Sequence, residues 1–323
     1  MSEASSWRPT ATNGALRQRA QALRTAREFF FARQVLEVET PAMVNAPVSD
    51  VNLGSVRVQM SGSDTPLFLH TSPEYTMKRL LAAGSGDIYQ ICHVYRGAER
   101  GRQHNPEFTL LEWYRLGFSL EALMGEVADL TRELLGTADL PAEFLTYREA
   151  VRRHAGFDPL DADISELQRA AHALGLEATR AARLERDELL DLIVGAQVGP
   201  ALGANALTFM HHYPASQAAL ARLDAGDARV ALRFELYHRG IELANGYHEL
   251  ASSAEQRLRF AADQQSRNAR GLPTFALDAH LVAALDAGLP DCAGVALGFD
   301  RVLMLAMNAA SIDEVIAFPT ERA

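Results

Sequence analysis

The chain has a single lysine, Lys78, among 31 basic residues, and two cysteines, Cys92 and Cys292. Both cysteines sit in apolar runs, IYQICHVY and PDCAGVAL, without CxxC or His/Cys ligand spacing. That argues against a disulfide framework and for free thiols in a reducing compartment. The opening MSEASSWRPT lacks both a positive n-region and an apolar core, so it is not read as a secretory signal. No stretch of 18 residues is apolar and uncharged, so no membrane span is expected and the location is read as cytoplasmic. The formal net charge of -10, with no long basic run, argues against general nucleic-acid binding.

Several motifs are missing too. Without a Walker A sequence or GxGxxG, any nucleotide site is neither a P-loop nor a Rossmann turn. Without GxSxG there is no nucleophile elbow. His104 and His248 lack the paired spacing of a zinc helix. His211 and His212, adjacent on a strand, are expected to point to opposite faces, so zinc is not expected.

The remaining sequence is that of a large globular domain, 48% hydrophobic and 22% charged. Residues 1–13 are polar and read as a flexible segment. ALRQRAQALRTAREFFFAR predicts an amphipathic helix over about 14–33 with a basic outer face. VLEVETPAM is a short extended piece, stopped at Pro41. VRVQM and PLFLHT read as strands. SPEYTMKRLLAAG reads as a helix with Ser72 at the N-cap and Pro73 in the first turn. DIYQICHVYR and EFTLLEWYRLG read as strands around the polar loop GAERGRQHNP. Residues 119–137 and 161–195 are helical in pattern, with YREAVRRHAG between them. LTFMHHYP returns to strand, and VALRFELYHR with GIELANGYHEL reads as a hairpin turning near Arg239-Gly240. Two helical stretches follow, ASSAEQRLRFAADQQSRNARG and TFALDAHLVAALDAG, and CAGVALGFDRVLMLAMNA is a strand entering a helix. This order predicts an α+β fold, a mainly antiparallel sheet flanked by helices, with a helical insertion around 119–200.

Four groups of polar residues exceed what passive strands need: Ser72-Pro73-Glu74; Arg96 to Phe108 with Glu112 and Tyr114; Glu235, Glu242, Asn245 and Glu249; and Gly298 to Arg301. Glu112 and Tyr114 share parity and therefore a face. Glu235 and Glu242 lie on the two arms of the hairpin, where one divalent ion such as Mg²⁺ suits both. Glu242 and Glu249 have opposite parity, so lining one cavity requires a bend or bulge, expected at Gly246. Arg96 and Arg301 belong beside anions, phosphate or carboxylate, or else in salt bridges to residues such as Asp300 and Glu99. Arginines, hairpin carboxylates and the aromatic Phe108 point to nucleotide with Mg²⁺, and Glu74, Glu112 and Glu249 to an amine-bearing substrate.

TAREFFFARQVLEVETPAM resembles motif 1 of the class II aminoacyl-tRNA synthetases, YRGAERGRQHNPEFTLLEWY their motif 2, and GVALGFDR their motif 3. HNPEFT and ELANGYHEL resemble the lysyl type specifically. The resemblance runs from about residue 14 to the end and implies a single class II catalytic domain over 14–323. Motif 1 begins too early to leave room for the anticodon-binding OB domain of a lysyl-tRNA synthetase, so stable tRNA binding is not expected. The chain is therefore similar to the truncated lysyl-tRNA synthetase paralogues that attach (R)-β-lysine to a lysine of elongation factor P. The other readings are a free-standing lysine-activating enzyme that charges tRNA or a small molecule, and an inactive binding paralogue.

Carried across by motif, the resemblance places Arg96 at the substrate carboxylate and α-phosphate, and Arg301 at the γ-phosphate end of ATP. Phe108 stacks on adenine, with Glu99 and His104 near the nucleotide, and Glu235 and Glu242 hold Mg²⁺. Arg96, Arg301 and Glu242 are the residues it makes catalytic. It puts Glu74 at the backbone-side amine, Glu112, Tyr114 and Glu249 at the ε-ammonium, and Asn245 at the carboxylate. Two departures from the tRNA enzymes, Ser72 for Ala and Ala296 for Gly, fall at the amino-acid end and fit a β-amino acid. A third, Ala98 where motif 2 usually has Glu, touches the nucleotide contacts. The resemblance also implies a homodimer through motif 1, with the insertion as a docking surface for elongation factor P.

Overall fold

The computed structural model describes residues 7–51, 53–62, 64–97 and 99–323. The chain packs as two compact units. The first holds the chain up to Phe118, Asp129–Ala138 and Leu250–Ala323; the second holds Ser119–Ala128 and Asp139–Glu249. The division falls within helix α3 (Leu120–Leu135).

The first unit opens on α1 (Asn13–Ala32), whose N-cap Thr12 accepts a hydrogen bond from Ala15 N. Ala22, Ala26, Phe29 and Phe30 form its buried stripe. Phe30 stacks on Tyr89 with ring centroids 4.3 Å apart and meets Trp113 edge-on at 5.3 Å. Tyr89 belongs to β5 (Ile88–Tyr95) and Trp113 to β6 (Glu107–Leu116). β1 (Leu36–Glu37) pairs parallel with β5, while β5 with β6, and β6 with β11 (Cys292–Gly298), are antiparallel. The broken alternation of EFTLLEWYRL now has a cause. Thr109 through Tyr114 are all buried, because α1 covers the face of Trp113 while Glu112 and Tyr114 occupy the other.

A small antiparallel sheet carries β2 (Met43–Val44), β4 (Leu67–Leu69) and β3 (Val56–Val58) in that order. Helices α2 (Glu74–Ala82), α8 (Ser253–Ala269), α9 (Ala279–Gly288) and α10 (Phe299–Ala306) complete the unit. The helix expected from TFALDAHL starts only at Ala279, after its N-cap Asp278. Ser72 is not the cap of α2 either; Pro73 holds that position. Thr10 donates to Ile316 O and Ala317 O, and its N–H also bonds Ala317 O.

The second unit holds β7 (Ala142–Thr146), β8 (Leu207–Pro214), β9 (Val230–His238) and β10 (Ile241–His248), in the order β10-β9-β8-β7. Only β7 and β8 run parallel. The insertion expected to be helical therefore contains a strand. AEFLT is too short, and its Phe144 too exposed, for a clear period-two signal. α4 (Tyr147–Ala155), α5 (Ile164–Ala173) and α7 (Arg186–Ile193) pack Tyr147, Val151, Leu167, Leu189 and Ile193 into one core with Met210, and the short α6 (Ala178–Ala181) lies between α5 and α7 in the chain.

The hairpin turns where the sequence placed it. Arg239 and Gly240 both have positive φ, 50° and 70°. The turn is tied to the loop before β8: Arg239 N donates to Gly203 O at 2.7 Å and Gly240 N to Leu202 O at 2.9 Å. Gly203 itself has φ +71°, and a Cβ there would lie 2.6 Å from Tyr237 O. Among the described residues no helix is long and apolar enough to cross a membrane.

Candidate active site

In the first unit the polar residues gather around Glu112, which is 2% exposed at the middle of β6. Ser72 Oγ donates to its Oε2 at 2.7 Å and accepts from Glu74 N at 3.0 Å. Tyr114 OH donates to its Oε1 at 2.7 Å, as shared parity predicted. Ala296 lies directly across from Glu112 on β11, and Gln90 directly across on β5. The two amino-acid-end departures, Ser72 and Ala296, thus converge on one carboxylate. Beside it, Glu74 accepts from the buried Lys78 Nζ at 2.6 Å, one turn along α2. The chain's one lysine holds this carboxylate. Cys92, on the same strand face as Gln90, is an inert thiol: burial, then the charge of Glu112, pushes its pKa up to about 12.

At the end of β5, Arg96 N donates to Pro106 O at 2.8 Å, closing the neck of the motif 2 loop. Its guanidinium lies 5.1 Å from the Phe108 ring centroid and 3.8 Å from Glu99. Arg96 Nε is buried without a hydrogen-bond partner among the described residues. A buried donor left open on a cation is what an incoming anion would satisfy. Arg301, at the start of α10, donates from Nη2 to His104 Nε2 at 2.6 Å and from Nε to Gln103 O at 3.3 Å. Burial, then the neighbouring Arg301 charge, holds His104 below its ordinary pKa, so its Nε2 is a neutral acceptor.

Asp300 takes no part in this pairing. Buried, it binds Arg19 Nη1 at 2.5 Å and Thr109 N at 2.8 Å, anchoring α10 against α1 and β6. Of the two salt bridges weighed as the alternative for these arginines, Glu99 does lie beside Arg96, while Asp300 pairs with Arg19. Ala98 lies outside the described residues.

In the second unit the parity conflict of Glu242 and Glu249 resolves, though not at Gly246. The register of β10 on β9 shifts between Glu242 and Ala244. Glu242 pairs with Tyr237, Ala244 with Leu236, and Asn245 with Glu235. This bulge inserts one residue, so Glu242, Asn245 and Tyr247 all share the face of Tyr237, Glu235 and Arg233. Glu249 continues that parity, is buried at 4% exposure and bridges to Ala221. Gly246 pairs regularly with Phe234, so no bend is needed there.

Both oxygens of Glu235 are engaged. Arg233 Nη2 donates to Oε1 at 2.6 Å and Tyr237 OH to Oε2 at 2.6 Å. Arg233 also donates to Asn245 Oδ1 at 3.2 Å and Gln217 O at 2.8 Å, and lies 4.3 Å from the Tyr213 ring centroid. Sequence reasoning missed Arg233 and Tyr237. Their positions two residues either side of Glu235 in a strand were the available signal. Arg19, reaching from a distant helix, had none. His211 and His212 also depart from expectation: with His212 at φ +58°, their Nδ1 atoms meet at 2.5 Å. No group of three or more metal-ligating side chains occurs among the described residues. Two carboxylates on one hairpin face nevertheless suit an ion completed by phosphate oxygens, and Arg233 and Tyr237 fix one of them in place.

The chain matches the family model "tRNA synthetases class II (D, K and N)" over residues 4–322. It is 50% identical over 327 residues to the "Elongation factor P--(R)-beta-lysine ligase" of Klebsiella pneumoniae (strain 342), covering 100% of both chains. It is 49% identical to the proteins of the same name from Edwardsiella ictaluri (strain 93-146) and Salmonella heidelberg (strain SL476), again over 100% of each chain. The motifs, the sheets that carry them and these full-length relationships place the chain in the class II tRNA synthetase family, of the aspartyl, lysyl and asparaginyl type.

Proposed function

We propose that this protein is an ATP-dependent ligase that activates (R)-β-lysine as its adenylate and transfers it to the ε-amine of a lysine on elongation factor P. The observation that supports it best is the convergence of Ser72, Tyr114 and Ala296 on the buried Glu112. Glu112 offers a carboxylate for an amine, and the neighbours that depart from the tRNA enzymes are the ones that shape its surroundings. The shared name of the full-length relatives points the same way.

The first half-reaction needs no side-chain nucleophile. The substrate carboxylate attacks the α-phosphorus of ATP and pyrophosphate leaves. Arg96 binds the carboxylate and α-phosphate, Arg301 the γ-phosphate end, and Phe108 the adenine, with Glu99 and His104 alongside. Their contribution is positioning and neutralisation of growing charge. Glu235 and Glu242 would hold Mg²⁺, which when bound supplies positive charge to phosphate oxygens. Glu74 meets the backbone-side amine, Glu112, Tyr114 and Glu249 the ε-ammonium, and Asn245 the carboxylate. In the second half-reaction the acceptor lysine, normally protonated near neutrality, loses its proton and attacks the adenylate carbonyl. An amide forms and AMP leaves.

The enzyme is read as cytoplasmic and as a homodimer through motif 1. On α1, Phe31 is 84% exposed, and nearby in sequence Leu36 is 55% and Met43 46% exposed, an apolar set that a second copy would cover. The arginines of α4 are already engaged within the chain: Arg148 and Arg152 pair with Asp158, and Arg153 with Glu143. ATP–pyrophosphate exchange tests the activation step. Exchange dependent on (R)-β-lysine is expected, and its absence with every lysine isomer would overturn the assignment.

A further inference from the structure

The motif 2 loop is held from outside by the C-terminal segment, through one residue that no substrate assignment uses. Arg100 donates from Nε to Glu321 Oε1 at 2.8 Å and from Nη2 to Glu321 Oε2 at 2.7 Å. The same guanidinium donates to Asp313 Oδ1 and Oδ2, both at 3.1 Å, and to His104 O at 3.2 Å. Two carboxylates are thus bound in forked geometry by a single arginine: its hydrogen bonds hold Glu321 below its ordinary pKa, and those to Glu321 and then Asp313 hold Arg100 above its own.

The backbone follows the same path. Ile312 N donates to Arg102 O at 2.9 Å, and Thr320 N to Asn105 Oδ1 at 3.2 Å. Gly101 and His104 exchange N–H···O bonds, both at 3.1 Å, to close the loop tip. The segment is itself anchored, since Thr10 bonds the carbonyls of Ile316 and Ala317. An isolated exposed ion pair would have little effect. Here one cation joins two carboxylates that lie eight residues apart on a segment already fixed at Thr10 and Asn105, so the geometry is constrained before the charges meet.

We infer that Arg100, Asp313 and Glu321 form a clamp that presets the motif 2 loop for ATP, with Arg100 as a positioning residue that touches no substrate. The consequence is specific. His104 takes its carbonyl contact from Arg100 and receives Arg301 on its ring, so loosening the loop misplaces the nucleotide contacts while leaving the amino-acid cluster around Glu112 intact. This rests on the assignment of ATP to the motif 2 arginines.

The test compares wild type, Arg100→Lys, Arg100→Ala and the double variant Asp313→Asn/Glu321→Gln in lysine-dependent ATP–pyrophosphate exchange. Arg100→Ala and the carboxylate double variant should each raise the KM for ATP about three- to tenfold, with the KM for the amino acid unchanged within about twofold. Arg100→Lys, keeping the charge but losing the fork, should fall between. Trypsin should cut the loop after Arg102 faster in both weakened variants, and saturating ATP should restore protection. An unchanged KM for ATP in both variants would overturn the clamp. So would an effect of Arg100→Ala that the double variant fails to reproduce, since that marks a direct contact of Arg100 with nucleotide. Failure of the wild type to exchange at all strikes the assignment of function instead, which keeps the two failures apart.

Discussion

Ser72 carries the specificity argument because its hydroxyl joins Glu112, proposed for the ε-ammonium, to the backbone N of Glu74, proposed for the backbone-side amine. An ε-ammonium at Glu112 would share its oxygens with the Ser72 and Tyr114 hydroxyls. Ser72→Ala with Ala296→Gly should therefore shift exchange toward α-lysine relative to (R)-β-lysine by about tenfold. This is the effect expected when the two hydrogen bonds of the Ser72 hydroxyl are lost and one methyl's space regained. An unchanged isomer ratio would remove these two residues from the specificity account. His104 gives a pH dependence. Its folded pKa lies below the ordinary 6.5, so the unfolded chain takes the proton first, and stability falls as pH drops below 6.5 toward the folded value. Once His104 is protonated, its Nε2 no longer accepts from Arg301 and repels it. The KM for ATP is expected to rise on acidification through that range, and His104→Gln to flatten the rise. A wild-type profile flat from pH 7.5 to 5.5 would contradict this.

The hairpin β9–β10 shows what the sequence discloses and what it withholds. Its turn was legible because Arg239-Gly240 sits between two alternating strands and both positive φ values fall there. Its bulge was not. Nothing in IELANG marks Leu243 as the extra residue, while Gly246, the obvious place for an irregularity, pairs regularly with Phe234. The parity problem did require an inserted residue somewhere, and the structure has one three positions earlier. Motif 2 and motif 3 were legible as family motifs for a similar reason: their residues follow one another within single strands and loops. The partners Arg19, Arg100 and Asp313 come from distant segments, where periodicity carries no information. β7 was hidden by its brevity. The loop preceding β8 yields an independent test of the hairpin's seating. Gly203→Ala would force a Cβ to 2.6 Å from Tyr237 O at a positive φ. A loss of about 2–4 kcal/mol in unfolding free energy is expected by denaturant titration. A loss below about 0.5 kcal/mol would show that the loop yields easily.

For the molecule as a whole, the proposed dimer turns on the exposed apolar Phe31 of α1. Burying such a side chain stabilises by about 1.5–3 kcal/mol, and a two-fold interface counts it twice. Phe31→Glu is expected to shift the protein to monomers by light scattering; a wild type that is already monomeric would remove the dimer from the account. The central claim is that one chain of the class II family joins an amino acid to a protein rather than to tRNA. The most direct measurement is the intact mass of elongation factor P after incubation with the enzyme, ATP and either (R)-β-lysine or α-lysine, beside a parallel reaction with lysine tRNA. The account predicts a gain of one lysyl residue on elongation factor P, greater with the β isomer, and no charged tRNA. An unmodified elongation factor P beside aminoacylated tRNA would contradict it.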